Sequence, residues 1–132
     1  MIISVIFLTA LLIGTAAAER SKYNFNSDWK LVVDDPTDAQ TSAFDESAWK
    51  AITTPHAWNE DDAFHVDITN LSTGIAWYRK HFRLPASSKD KKVFLEFEGI
   101  RHGGEFYLNG EWIGRSENGV MAFGFDISDL VL

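Results

Sequence analysis

Beyond the first eighteen residues, apolar and polar positions alternate with a period near two far more often than near 3.6. In Lys91–Glu98, Val93, Leu95 and Phe97 fall on one face and Phe94, Glu96 and Glu98 on the other, which predicts a strand. Glu105–Asn109 repeats the pattern, with Phe106 and Leu108 opposing Tyr107. Asn109-Gly110 then predicts a two-residue type I′ turn, because both central positions need positive φ, which Asn and Gly tolerate. Glu111–Arg115 is the expected return strand, and Asn118-Gly119 marks a second turn before Met121–Asp126. Upstream, Gly74–Leu84 reads as one long β run stopped by Pro85, with shorter strands expected at Trp29–Val33 and Trp49–Thr53. Many short strands joined by Gly/Asn turns predict an all-β domain, a β-sandwich or jelly roll.

Two departures from simple alternation change this picture. Gly74–Leu84 carries bulk on both faces: Ile75 and Trp77 on one, Tyr78, Phe82 and Leu84 on the other. A sheet wet on one side would show polar residues there. Either the strand is central to a thick core, or another domain covers its outer face. Phe94 and Tyr107 spoil the polar faces of their own strands in the same way, which favours a covering domain. The second departure is the apolar run Phe125–Leu132 at the end of the sequence, which would leave an unpaired strand edge. The domain is therefore expected to be truncated at its C-terminal end.

Met1–Ala18 is uncharged, and Ile2–Ile13 is almost wholly apolar. Thr15-Ala16-Ala17-Ala18 supplies the small residues a signal peptidase accepts, although no Lys or Arg precedes the apolar run. The alternative is a membrane anchor, but the run is short against the ~20 residues of a span. Residues 1–18 are expected to be a cleaved signal peptide, residues 19–132 the exported domain, and the destination periplasmic or extracellular. With 132 residues there is room for one such domain. No cysteine is present, so no disulfide framework supports it. The net charge of −7, with no Lys/Arg stripe, argues against nucleic acid as a partner.

Self-contained catalytic motifs are missing. No Gly-x-Ser-x-Gly elbow or Gly-rich phosphate loop occurs, and His56, His65, His81 and His102 lack the i, i+4 spacing of a helical zinc site. No cofactor or metal is expected. The densest polar run is Asn59–Asp67, which includes Glu60, Asp61, Asp62 and His65. Its carboxylates and imidazole could bind paired sugar hydroxyls, or the run could be a solvated acidic loop. Two of its acids could in principle serve as a glycosidase pair, but carboxylates adjacent in sequence rarely face each other across a substrate. Trp29, Trp49, Trp77 and Trp112 lie in strand contexts and are expected in the core, whereas Trp58 sits in a loop where its ring could stack on a sugar. Arg79 is expected to be a paired structural guanidinium, with substrate contact the alternative. Asn70-Leu71-Ser72 is a glycosylation sequon, relevant only in a glycosylating host.

Phe44-Asp45-Glu46-Ser47-Ala48-Trp49, followed by Thr54-Pro55-His56-Ala57-Trp58-Asn59, resembles a segment of family 2 glycoside hydrolases of the β-galactosidase type. Gly74-Ile75-Ala76-Trp77-Tyr78-Arg79-Lys80-His81-Phe82 is similar to a strand of the same family. So are Phe97-Glu98-Gly99, Phe106–Gly110, Ile113-Gly114, Glu117-Asn118-Gly119 and Phe123–Ile127, in the family's order. The resemblance implies a jelly-roll β-sandwich of galactose-binding-domain type that packs against an immunoglobulin-like sandwich and a (β/α)8 barrel of the same polypeptide. It implies a retaining hydrolase of O-glycosidic bonds whose two catalytic glutamates lie on the barrel, so this chain has no catalytic residue of its own. By position it makes Trp58, Asn59, Asp61 and His65 the candidate substrate contacts, with a β-galactoside-type oligosaccharide as ligand. The Pro55-His56-Ala57-Trp58-Asn59 pattern looks more like β-galactosidases than β-glucuronidases or β-mannosidases, both of which stay open as alternatives. A stand-alone carbohydrate-binding module, or a structural sandwich with no sugar role, would instead need soluble outer faces and cooperative folding as a monomer. A domain that leans on others should be marginal or insoluble alone.

Overall fold

Residues 20–60 and 73–131 are described by the structure, a computed structural model. They form seven short strands: β1 (Trp29–Val32), β2 (Lys50–Ile52), β3 (Trp77–Arg79), β4 (Phe94–Phe97), β5 (Gly104–Leu108), β6 (Glu111–Ser116) and β7 (Phe123–Asp126). The only helical element among these residues is one 3₁₀ turn, Ala86–Ser88. All pairings are antiparallel, in a three-stranded sheet ordered β2-β1-β3 and two ribbons, β4-β7 and β5-β6. The expected all-β sandwich is what forms. The long run predicted from Gly74 to Leu84 contains ladder structure only at Trp77–Arg79, because that is the stretch where β1 lies alongside.

Register assigns the faces. Residues directly opposite in an antiparallel pair share a face. Trp29 opposes Ile52 and Leu31 opposes Tyr78, so these four side chains lie together, and Leu31 and Ile52 are buried. Phe25 closes this side edge-on to both Trp29 and Phe82, at 5.6 and 5.0 Å between ring centroids. Val32, Trp77, Lys30 and Arg79 take the opposite face. There the chain's own loop before β2 and the β5–β6 hairpin meet, with Gly110 facing the backbone of Gln40–Ser42. The bulk on both faces of β3 is thus met on the outer side by segments of this chain. The expected Asn109-Gly110 turn is present, with φ of 53° and 90°.

In the ribbons, Leu95 pairs with Phe125 and Phe97 with Phe123. Phe97, Phe106, Phe123 and Phe125 form one ring cluster, with Phe97–Phe106 at 4.9 Å, Phe106–Phe125 at 5.0 Å and Phe97–Phe123 stacked at 5.2 Å. Trp49 is buried, as expected of a core tryptophan, and Trp29 and Trp77 are half-buried. Trp112 is not a core residue. It lies on β6 of the two-stranded β5-β6 ribbon and is 60% exposed.

Just after β7, a polar clamp ties the ribbon together. Asp126 Oδ1 accepts from the Ser128 amide at 3.0 Å and from its hydroxyl at 2.5 Å. Ser128 Oγ in turn accepts from Val93 N at 2.8 Å, and Ile127 N donates to Val93 O at 2.9 Å, which buries Ile127. The Ser128 hydroxyl, then Lys92 at 2.9 Å and the Ser128 amide, hold the Asp126 carboxyl down at about 2. That lies below the ~3.9 of an unfolded aspartate, so the clamp's contribution is complete above about pH 4 and is lost as pH falls from there through 2. Replacing Asp126 by Asn should flatten this acid limb in denaturant midpoints recorded across that window. An unchanged limb would show that other carboxylates govern it.

Candidate sugar-contact loop and its supports

The loop leaving β2 is pinned at its base and closed at its tip. Thr54 N donates to Asn26 O at 2.8 Å and Thr54 Oγ1 to the same oxygen at 3.2 Å. The Thr54–Pro55 peptide is cis. Glu60 N donates back to Ala57 O at 3.0 Å, and His56 Nε2 lies 3.2 Å from Glu60 Oε2, so the turn from His56 to Glu60 is closed by both backbone and side chain. His56 is held underneath by Tyr78, whose hydroxyl donates to the His56 carbonyl at 3.3 Å and whose ring meets the imidazole edge-on. Burial pushes the Tyr78 phenol up, so it stays a donor. His56 Nδ1 is buried and has no hydrogen-bond partner among the described residues.

Trp58 and Asn59 occupy this turn side by side, both half-buried. An indole beside a carboxamide offers a stacking face and a paired donor and acceptor, which suits a neutral sugar ring. Asp61 and His65 lie outside the described residues, so of the four expected contacts the structure describes Trp58 and Asn59, which are neighbours in sequence. His56 and Glu60, which shape the turn, were missed as a pair: an i, i+4 His–Glu spacing is a visible signal, but its meaning depends on the chain being turned there.

Arg79 resolves in favour of structure. Its guanidinium donates to Ala39 O at 2.9 Å, Thr41 O at 2.8 Å and Ser42 O at 3.3 Å. Its Nε lies 3.3 Å from Glu46 Oε2, close enough for an ion pair but not aligned for a hydrogen bond. Glu46 also meets His81 Nε2 at 2.7 Å. Burial alone would raise the Glu46 carboxyl, but the His81 hydrogen bond, a backbone amide and the charges of Arg79 and His81 together bring it below its ordinary value. Around it, Asp45 Oδ1 accepts from Ser47 N at 2.9 Å and Phe44 packs on buried Trp49 at 5.4 Å. Phe44–Trp49 is thus a turn-forming unit braced by Arg79. Among the described residues no cluster of three or more His, Asp or Glu could hold a metal ion.

Comparison with known proteins gives these features a family. The description "Glycosyl hydrolases family 2, sugar binding domain" matches residues 22–132. A β-glucuronidase of Formosa agariphila is 40% identical over 119 residues, which take in 85% of this chain and 12% of the relative. A β-galactosidase of Thermoanaerobacter pseudethanolicus is 37% identical over 112 residues, with 85% and 15% covered. Among solved structures, a β-glucuronidase from glycoside hydrolase family 2 superposes with a TM-score of 0.77 at 39% identity, over 83% of this chain and 12% of that one. The β-glucuronidase of Bacteroides uniformis gives 0.78 at 32% identity, with 83% and 13% covered. The chain therefore spans only 12–15% of the length of these proteins. Its ordered motifs, its antiparallel sheets and the match over residues 22–132 make it a member of glycoside hydrolase family 2, as that family's N-terminal sugar-binding domain.

Proposed function

We propose that this domain serves an exported β-glycosidase, buttressing the catalytic barrel and presenting the turn of Trp58 and Asn59 to the terminal sugar of an oligosaccharide. The observation that carries this reading is the closed turn from His56 to Glu60, which holds an indole and a carboxamide next to each other. Asp61 and His65 are the candidate contacts that follow in sequence. The sugar is a β-linked galactose, on the strength of the Pro55-His56-Ala57-Trp58-Asn59 pattern. The second reading is a β-glucuronide, favoured by the 40% identity to a β-glucuronidase. Hydrolysis itself belongs to residues outside this chain.

The test uses the full-length polypeptide recovered from the exported fraction, with aryl β-galactopyranoside and aryl β-glucuronide as substrates. The expected protein begins at Glu19 and prefers the galactoside in kcat/KM. A preference for the glucuronide would overturn the galactoside reading and leave the domain's role intact. A protein that still carries residues 1–18 would overturn the cleaved signal. No hydrolysis of any aryl β-glycoside would overturn the enzyme reading as a whole.

A further inference from the structure

The sequence contains two Asn-Gly steps, Asn109-Gly110 and Asn118-Gly119, and both asparagines are exposed. Such a step leaves an asparagine side chain open to attack by its own backbone, because glycine has no Cβ to shield the following amide nitrogen. The structure gives the two steps opposite surroundings. Asn109 sits at φ 53° in the hairpin turn, directly between Leu108 and Glu111, which are paired across β5 and β6. Its Nδ2 donates to Leu130 O at 3.2 Å, and Gly110 faces the backbone of Gln40–Ser42. Asn118 lies past the end of β6, outside any ladder. Its Oδ1 accepts from Val120 N at 3.2 Å, and its Nδ2 has no partner among the described residues. The fold also requires glycine after it: a Cβ on Gly119 would lie 2.9 Å from His102 N and 3.5 Å from Arg101 Cα.

We propose that Asn118 is a site of self-modification, deamidating with water as the only co-reactant, and that the hairpin protects Asn109 from the same reaction. The Gly119 backbone nitrogen adds to Asn118 Cγ and gives up its proton to solvent. The Cγ–Nδ2 bond then breaks, ammonia leaves, and a cyclic imide joins the two residues. Water opens the imide at either carbonyl, giving aspartate or isoaspartate, with nothing oxidised or reduced. Negative charge builds on Oδ1 as the nitrogen adds, and the Val120 amide already donates to that atom. At Asn109 the same ring closure has to give up the Leu130 hydrogen bond and twist a left-handed backbone held by strand pairing on both sides. Modification of Asn118 adds a negative charge beside Glu117, which is paired with Arg115. The isoaspartate form also inserts a main-chain methylene next to the close approach of Gly119 to Arg101 and His102.

Timed incubation of the full-length polypeptide at mildly alkaline pH, followed by trypsin and peptide mass spectrometry, tests this. Cleavage after Arg101 and Arg115 puts the two Asn-Gly steps on different peptides, so each is followed separately. An unincubated sample digested in parallel corrects for deamidation during the digest, and isoaspartyl methyltransferase labelling identifies the product. In the native protein the Asn118 peptide should gain the amide-to-acid mass change about tenfold faster than the Asn109 peptide. In denaturant the two rates should converge, because both steps are Asn-Gly and only the fold separates them. Asn118→Ser, which keeps an acceptor for the Val120 amide, should abolish the change in its peptide and leave the Asn109 rate as it was. No gain at Asn118, an equal or faster gain at Asn109 in the native protein, or the same ratio in denaturant overturns the proposal.

Discussion

Replacing Gly114 by Ala should lower stability by about 3 kcal/mol, near the upper end for overpacked cores. A Cβ built on Gly114 would lie 2.3 Å from Phe125 Cε1 and 3.1 Å from Cδ1 and Cζ. Phe125 is half-buried and packed against Phe106 at 5.0 Å and Phe123 at 5.8 Å, so moving its ring aside breaks those contacts. The φ of 156° at Gly114 adds a backbone that other residues rarely adopt. At about 4–8 °C per kcal/mol, the midpoint should fall by more than ten degrees. Combining the change with Phe125→Leu should recover part of the loss, because the contact that clashes is removed and the two effects then fail to add. Additive losses would show that strain at φ, rather than the ring, sets the penalty.

Arg79→Ala should be of similar size, about 3 kcal/mol, for a different reason. It removes the guanidinium from Ala39 O and Ser42 O, leaves Thr41 O with the Phe44 amide at 3.3 Å, and leaves the exposed His81 as the charged partner of Glu46. Arg79→Lys should recover little, since an ammonium cannot span carbonyls on both sides of Gln40 and also reach Glu46. Denaturant midpoints of the two variants measure this directly. Full recovery by Lys would mean that charge alone, and not the planar fork, holds the 39–46 loop. Either variant should leave the turn of Trp58 and Asn59 intact, because its supports run through Tyr78 and Asn26.

The role of Arg79 illustrates how much of the site could be read in advance. The spacing Phe44-Asp45-x-Ser47 encodes a turn that closes on itself within two residues, so its form follows from sequence. Which guanidinium would brace it does not, since Arg79 comes from 37–40 positions along the chain. Similarly, Trp58 and Asn59 could be singled out as adjacent loop residues, but the hold of Tyr78 on the His56 carbonyl could not.

What the sequence determined by itself was local: the period-two strands and the Asn109-Gly110 hairpin turn. Each depends on φ preferences or hydrogen bonds within a few residues, and no distant partner can override them. Tertiary structure decided the rest. It cut the long β3 run to the three residues that β1 could pair with, turned Trp112 outward, and set Trp77 of the three-stranded sheet beside Tyr107 of the β5-β6 ribbon. Strand length, burial and ring pairing are properties of two segments meeting. The alternation within one segment says which face is apolar, but not what will come to cover it.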